Sequence, residues 1–295
     1  MALQSSGSIA LSQIASEFGG TAPHALSEYY RNGGLVTSNN TSVPTSGAID
    51  FADFYSAVKA IYVYLSSNDT NQNASTLFGS NFTTNIPKVL VINSGVEIGA
   101  TSTSNYGLQV PSGMSGTLTI QNSGTISGAG GAGSSSGAGG NGEAALYINS
   151  NSVTVTNSGT IRGGGGGGGR GSNGSNGASC TGYNIQCYGG SGGSGGAGGN
   201  GQGYNQSQSN GSGGGGGSGP TSNHQAGSWF CGRIGSCWNS GGGGYTGGNG
   251  GTYGNAGGQG GGGGSAGGVA GNYISLGSGI NYTLSNSGTL QGNAP

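Results

Sequence analysis

Apolar and polar positions alternate along this chain in short bursts. The clearest are Leu118-Thr119-Ile120-Gln121-Asn122, Val153-Thr154-Val155-Thr156-Asn157 and Tyr282-Thr283-Leu284-Ser285-Asn286. Alternation with period two marks strands that bury one face. Each burst runs into Ser-Gly-Thr and then Ile or Leu, so a corner and a second short strand are expected. Val89–Ile98 carries a degenerate copy around Asn93-Ser94-Gly95. The corner glycines are expected to supply a positive φ. Units of this kind stack as hairpins or β-solenoid-like rungs. The unequal spacing of Asn122, Asn157 and Asn286 argues against a uniform β-helix and places glycine runs between rungs.

The N-terminal pattern is different. Ile14 and Phe18 stand at i and i+4 in Ser8–Phe18, which predicts a short helix capped by Ser12 and stopped by Gly19-Gly20. A second short helix is expected within Ala25–Arg31. Asp50 is placed to cap a third, with Phe51, Phe54 and Tyr55 on one face. Phe18, Tyr29, Tyr30, Phe51, Phe54 and Tyr55 are therefore candidates either for a small core or for a surface that attaches to a partner. Ile61–Leu65 then reads as a strand.

Composition sharpens the division. Glycine takes 76 of 295 positions and charged residues only 4%, against a usual ~7% and ~25%. Most of the glycines fall within residues 127–279, and all seven acidic residues lie at or before Glu143. The chain is thus read as a module at 1–60, a β-rich connector at 61–126 and a glycine-built part at 127–295. Six prolines are too few for collagen. Residues 189–200 repeat Gly-Gly-x with Ser, Ser, Ala and Asn in third place. Three-residue phasing fits a bundle of polyproline-II-type glycine helices bonded sideways to one another; the competing reading is a flexible linker. The longest run, 241–271, is expected to fold into two, turning near Tyr253-Gly254-Asn255. If successive runs alternate in direction, the connections after 177 and after 219 share one end of the bundle.

Those two connections hold all four cysteines and both tryptophans. Local pairing, Cys180–Cys187 and Cys231–Cys237, closes two small loops. Pairing between the loops and free thiols are the alternatives. Aromatic side chains set among Asn, Ser and Gly have the composition of a binding surface. The receptor-binding candidates are Tyr183, Asn184 and Tyr188 in the first loop, and His224, Trp229, Phe230, Arg233 and Trp238 in the second. The alternative is a satellite core that caps the bundle.

Catalysis finds no support. No pair of carboxylates reaches the glycine region, His24 and His224 are far apart, and Gly163–Gly169 lacks the Gly-Lys-Ser/Thr of a phosphate loop. Neither cysteine spacing suits zinc, so no metal or cofactor is expected. A net charge of −1 gives no field for nucleic acid, and no apolar stretch is long enough to insert in a membrane. The first residues carry no pattern of a signal peptide.

Residues Ser8–Gly19, Leu26–Tyr30 and Pro44–Tyr55 resemble an N-terminal module found in tailed-bacteriophage virion proteins. The Asn-Ser-Gly-Thr units leading into glycine runs resemble phage tail-fibre tip adhesins of the polyglycine-II sandwich type. The resemblance implies a mostly non-α fold: a small mixed module, β-rungs, and a polyglycine-II bundle with disulfide-bounded loops. It implies a virion protein on the phage tail whose N-terminal part attaches to other tail proteins. Its loops would contact a host outer-surface protein or glycan. A structural appendage of head or tail without receptor contact is the second reading.

Overall fold

The computed structural model describes residues 3–37, 40–177, 180–182, 185–188, 190–218, 221–223 and 241–295. The described residues up to Ala60 form a small mixed module. Helix α1 (Leu11–Phe18) starts after Ala10, not after Ser12; the Gln13 side chain accepts the Ala10 N–H at 2.8 Å. Single 3-10 turns follow at Leu26–Tyr29 and Phe51–Phe54. Asp50 caps the latter as expected, accepting from Ala52 N at 2.8 Å and Asp53 N at 3.2 Å. Ile14, Phe18, Tyr29, Val36, Val43 and Phe54 close the core of this module. Phe54 meets Phe18 and Tyr29 edge-on at 6.4 and 6.3 Å.

From Ile61 the chain winds as a three-sided parallel stack. The first rung is β1 (Ile61–Leu65), β2 (Asp69–Thr70) and β3 (Gln72–Asn73). Helix α2 (Ala74–Phe78) and a 3-10 turn at Gly79–Thr83 follow, with Phe78 and Phe82 buried in the core of the stack. The second rung is β4 (Lys88–Ile92), β5 (Glu97–Gly99) and β6 (Leu108–Val110). The third is β7 (Leu118–Asn122), β8 (Thr125–Ser127) and β9 (Leu146–Ile148). Then come β10 (Val153–Asn157) and β11 (Thr160–Arg162). Far along the chain, β15 (Ile274–Leu276) completes their rung, and β16 (Tyr282–Asn286) and β17 (Thr289–Gln291) form the last.

The sheet orders are β1-β4-β7-β10-β16, β17-β11-β8-β5-β2 and β15-β9-β6-β3. Inward residues stack in columns: Leu90, Ile120, Val155 and Leu284 on one side, and Ile98, Ile126, Ile161 and Leu290 on the next. Leu108, Leu146 and Ile274 line the third. Strands on both sides of residue 126 therefore belong to the same sheets, and the stack reaches Gln291.

Two details depart from the sequence reading. Of the corner glycines only Gly95 has positive φ, at 80°. Gly124, Gly159 and Gly288 are needed for contact instead: a Cβ there would lie 2.3, 2.0 and 2.1 Å from carbonyl oxygens of Val96, Gly124 and Gly159. Asn93 is also not equivalent to the other motif asparagines, because register sets Ile92 beside Asn122. The true ladder is Asn122–Asn157–Asn286, joined by side-chain amide bonds of 2.7 Å each, with the first two fully buried.

Glycine runs leave the stack at one corner, between the second and third strands of a rung. They are insertions within rungs and not between them: 128–145 separates β8 from β9, and 163–273 separates β11 from β15. Their backbones bond sideways with a three-residue period. Gly165, Gly168, Gly171, Gly174 and Gly177 donate in turn to Gln202, Gly199, Gly196, Gly193 and Gly190. Gly164, Gly167 and Arg170 donate to Glu143, Gly140 and Gly137, while Gly166, Gly169 and Ser172 donate to Asn255, Gly258 and Gly261. The same segment accepts from 128–134, from 241–254 and from 265–271, so six neighbours surround it. This explains why it alone holds seven consecutive glycines. A Cβ at any of Gly163–Gly169 would lie 1.8–2.1 Å from a neighbour's carbonyl oxygen. In 190–202, by contrast, the third-place Ser191, Ser194 and Asn200 are exposed.

Run 241–271 folds into three segments, not two. It turns at Tyr253-Gly254, where expected, and again at 261–263, where Gly262 and Gly263 take φ of 67° and 75°. The second turn lies inside an unbroken glycine string that gives no local signal.

Candidate functional site: the free end of the glycine bundle

Hydrogen-bond register fixes the direction of every segment. Taking 163–177 as outward from the stack, 128–134 runs parallel to it and 137–143 antiparallel. Segments 190–202, 241–252 and 264–271 run back, and 209–218 and 255–260 run outward. Directions thus alternate without exception. The root end carries the β-stack and the turns at 203–208 and 253–254. The free end carries the turns at 135–136 and 261–263 and both long connections.

Two of these connections meet. Strands β12 (Cys180–Gly182) and β13 (Ile185–Tyr188) form an antiparallel hairpin in the first, with Cys180 opposite Cys187. Strand β14 (Thr221–Asn223) opens the second and pairs with β13, Tyr188 facing Thr221 in the ladder. The two connections are therefore neighbours at the free end, as alternation of the runs predicts. Tyr183, Asn184, His224, Trp229, Phe230, Arg233 and Trp238 lie outside the described residues, as do Cys231 and Cys237. Of the receptor candidates, Tyr188 alone is placed, by its backbone, on β13.

The root is held by polar contacts that the sequence reading did not single out. Glu97, Ser127 and Arg162 stand on successive strands β5, β8 and β11. Arg162 Nη2 meets Glu97 Oε1 at 2.8 Å and its Nε donates to Ser127 Oγ at 2.8 Å. The guanidinium also lies 3.8 Å from the ring centre of Tyr253, at the turn between two glycine segments. Burial raises the pKa of that phenol, and Arg162 partly opposes the rise. The Tyr204 ring covers Gly99, where a Cβ would meet it at 1.9 Å. These contacts dock the root turns on the stack, and an open cleft of about 440 Å³ lies among Arg162, Gln202, Tyr204, Gln206 and Tyr253. Nearby, Tyr106 and Tyr147 stack at 4.6 Å. Burial raises the pKa of Glu143 there, opposed by the hydrogen bond from Ala144 N at 2.9 Å.

The attachment candidates divide. Phe18, Tyr29 and Phe54 are fully buried in the module core, which corrects their assignment as docking residues. Phe51 is 40% exposed, and Tyr30 and Tyr55 are half-buried, with the Tyr55 hydroxyl on Gly7 O at 2.5 Å. Among the described residues no cluster of His, Cys, Asp and Glu is placed to hold a metal, and no helix is long and apolar enough to cross a membrane.

Comparison with known proteins agrees with this architecture. Among solved structures, the chain is similar to one described as the crystal structure of the gp37-gp38 adhesin tip complex of the bacteriophage S16 long tail fiber. That match has a TM-score of 0.56 and 20% identity, covering 99% of this chain and 100% of the other. No curated protein matches. The family model for the phage tail fibre adhesin Gp38 matches residues 60–295, from the first rung of the stack to the last residue. The chain belongs to the phage tail fibre adhesin Gp38 family.

Proposed function

We propose that this protein is the receptor-binding element of a phage tail fibre, and that the free end of the glycine bundle is what touches the host. The single observation that carries this reading is the pairing of β13 with β14. It gathers two aromatic, cysteine-bounded connections at the end farthest along the chain's outward segments. Tyr183, Asn184 and Tyr188 from one, and His224, Trp229, Phe230, Arg233 and Trp238 from the other, then form one contact surface for an outer-surface protein or glycan. Binding, not catalysis, is its work.

The scaffold is read as a polyglycine-II bundle, supported by the three-residue period of the lateral bonds and the six-neighbour centre. Such a scaffold is stiff although rich in glycine, because successive amides of its central segment are tied to different neighbours. Within the loops, the register of Cys180 opposite Cys187 favours a bond inside the first hairpin, and Cys231–Cys237 would close the second. Closed loops lose less entropy on binding. At the other end, the module at 1–60 attaches to the fibre. The S16 protein is described in complex with gp37, which makes a gp37-like fibre subunit the partner proposed here.

The test is competition. Purified protein is added to host cells before the phage. The reading expects adsorption to be blocked by the intact chain and not by a chain with residues 221–240 replaced by a Gly-Ser linker. Blocking by both chains, or by neither, contradicts it.

A further inference from the structure

The bundle has a step. Segments 128–134, 137–143, 255–260 and 264–271 end level with Arg170, whereas 163–177, 190–202, 209–218 and 241–252 continue outward. Arg170 makes the last lateral bonds to 137–143 and 264–271: its N–H donates to Gly137 O at 3.0 Å and its carbonyl accepts from Ser265 N at 2.8 Å, while Ser172 N still reaches Gly261 O at 3.0 Å. Beyond the step the central segment has lost neighbours on one side, and side chains reappear there as Arg170, Ser172 and Asn173.

Two large side chains mark the step, Arg170 and Tyr245. Arg170 Nη2 donates to Asn173 Oδ1 at 2.6 Å, and the same oxygen accepts from Gly195 N at 3.0 Å, so the guanidinium is held but not neutralised. Among the described residues it forms no ion pair, and every acidic residue of the chain lies at or before Glu143. Tyr245 is 52% exposed although it sits within a packed segment. Its ring lies against Gly262, where a Cβ would approach to 2.3 Å. Tyr245 N donates to Ser172 O at 3.0 Å, and Ser172 Oγ donates to Gly262 O at 2.9 Å. The Arg170 backbone carbonyl and the Tyr245 ring thus both border one turn, 261–264, at the foot of the rise.

An unneutralised guanidinium recognises a carboxylate or phosphate through two parallel hydrogen bonds. A half-exposed phenol ring offers a flat apolar face with a polar edge. Ser172 and Asn173 add a hydroxyl and an amide beside Arg170 on the same segment. We propose that this step is a second subsite, which takes an anionic sugar of the bacterial surface, the ring on Tyr245 and the acid group on Arg170. The inference rests on the adhesin reading above and adds a saccharide contact behind the distal loops.

NMR titration of the purified full chain with glucuronic acid, glucose 6-phosphate and glucose tests it. Binding of one or both anions, and not of glucose, is expected; the anion preferred identifies the acid group. Arg170→Gln and Tyr245→Ala should each weaken that binding roughly tenfold, while Arg170→Lys and Tyr245→Phe retain part of it and show that the fold is kept. Trp229→Ala, in the distal loop, should leave the sugar titration unchanged. Failure of both anions to bind, or equal binding by Arg170→Gln, overturns the subsite. The adhesin reading then still stands or falls separately, on whether the intact chain blocks adsorption.

Discussion

Tyr188 and Thr221 are partners in an antiparallel ladder, although a complete pair of glycine segments separates them in the chain. The pairing requires 190–202 and 209–218 to go down and return with matched length. Their lateral bonds run Ser209 to Asn200, Ser212 to Ala197, Gly215 to Ser194 and Ser218 to Ser191 without a slip. Rigid geometry in a glycine-rich region thus follows from register, and the position of the loops follows from that rigidity.

The centre of the bundle should tolerate no side chain. Gly167→Ala puts a Cβ 2.0 Å from Ala132 O, a backbone atom fixed by its own bonds. A loss of about 3 kcal/mol is expected, at the upper end of overpacking costs. Ser194→Ala, at an exposed third position, should stay within ~0.5 kcal/mol of wild type. Urea unfolding of the two variants checks the contrast.

Asn157→Ala should destabilise the stack by about 2 kcal/mol. Asn157 accepts from Asn122 and donates to Asn286, both at 2.7 Å. Its removal leaves the buried Asn122 amide with Thr160 O, at 3.1 Å, and without its side-chain acceptor. The shift of the thermal midpoint measures the cost.

Glu143 supplies a pH signature. Burial raises its folded pKa above the unfolded value, so the folded state holds the proton longer. Stability from this group is then full below the ordinary carboxylate range and is lost as pH rises through the raised folded pKa. Glu143→Gln removes the loss. The variant should melt higher than wild type at pH 7, and the gap should close at pH 3.

In the N-terminal module, fold and attachment separate by residue. Phe54→Ala should cost ~3–5 kcal/mol, the usual result for a fully buried phenylalanine. Phe51→Ala should leave the midpoint unchanged and lower incorporation of the chain into particles, because Phe51 is exposed. Quantitative blotting of purified virions distinguishes the two effects.

Much of this fold is written in the sequence, but unevenly. The paired strands around Asn122, Asn157 and Asn286 are legible because alternation and corner recur together. The third strand of each rung is not. Leu108–Val110, Leu146–Ile148 and Ile274–Leu276 are three residues long and follow insertions of unequal length, so no period exposes them. Gly-Gly-x phasing in 189–200 signals a segment with one open side. The seven glycines from Gly163 signal the buried centre, but only once the neighbours are known. The corner glycines misled on mechanism, because close carbonyl approach and positive φ both select glycine. At the candidate site, alternation of the runs located both connections. Arg170 and Tyr245 carried no signal, since their exposure depends on where other segments stop.

The most direct test of the central claim is the adsorption rate constant of phage carrying Trp229→Ala or Trp238→Ala. An aromatic anchor at a binding surface commonly contributes ~2 kcal/mol or more. The account predicts at least a tenfold fall in adsorption with the same amount of the protein on the virion and an unchanged melting midpoint. Wild-type adsorption by both variants would contradict it.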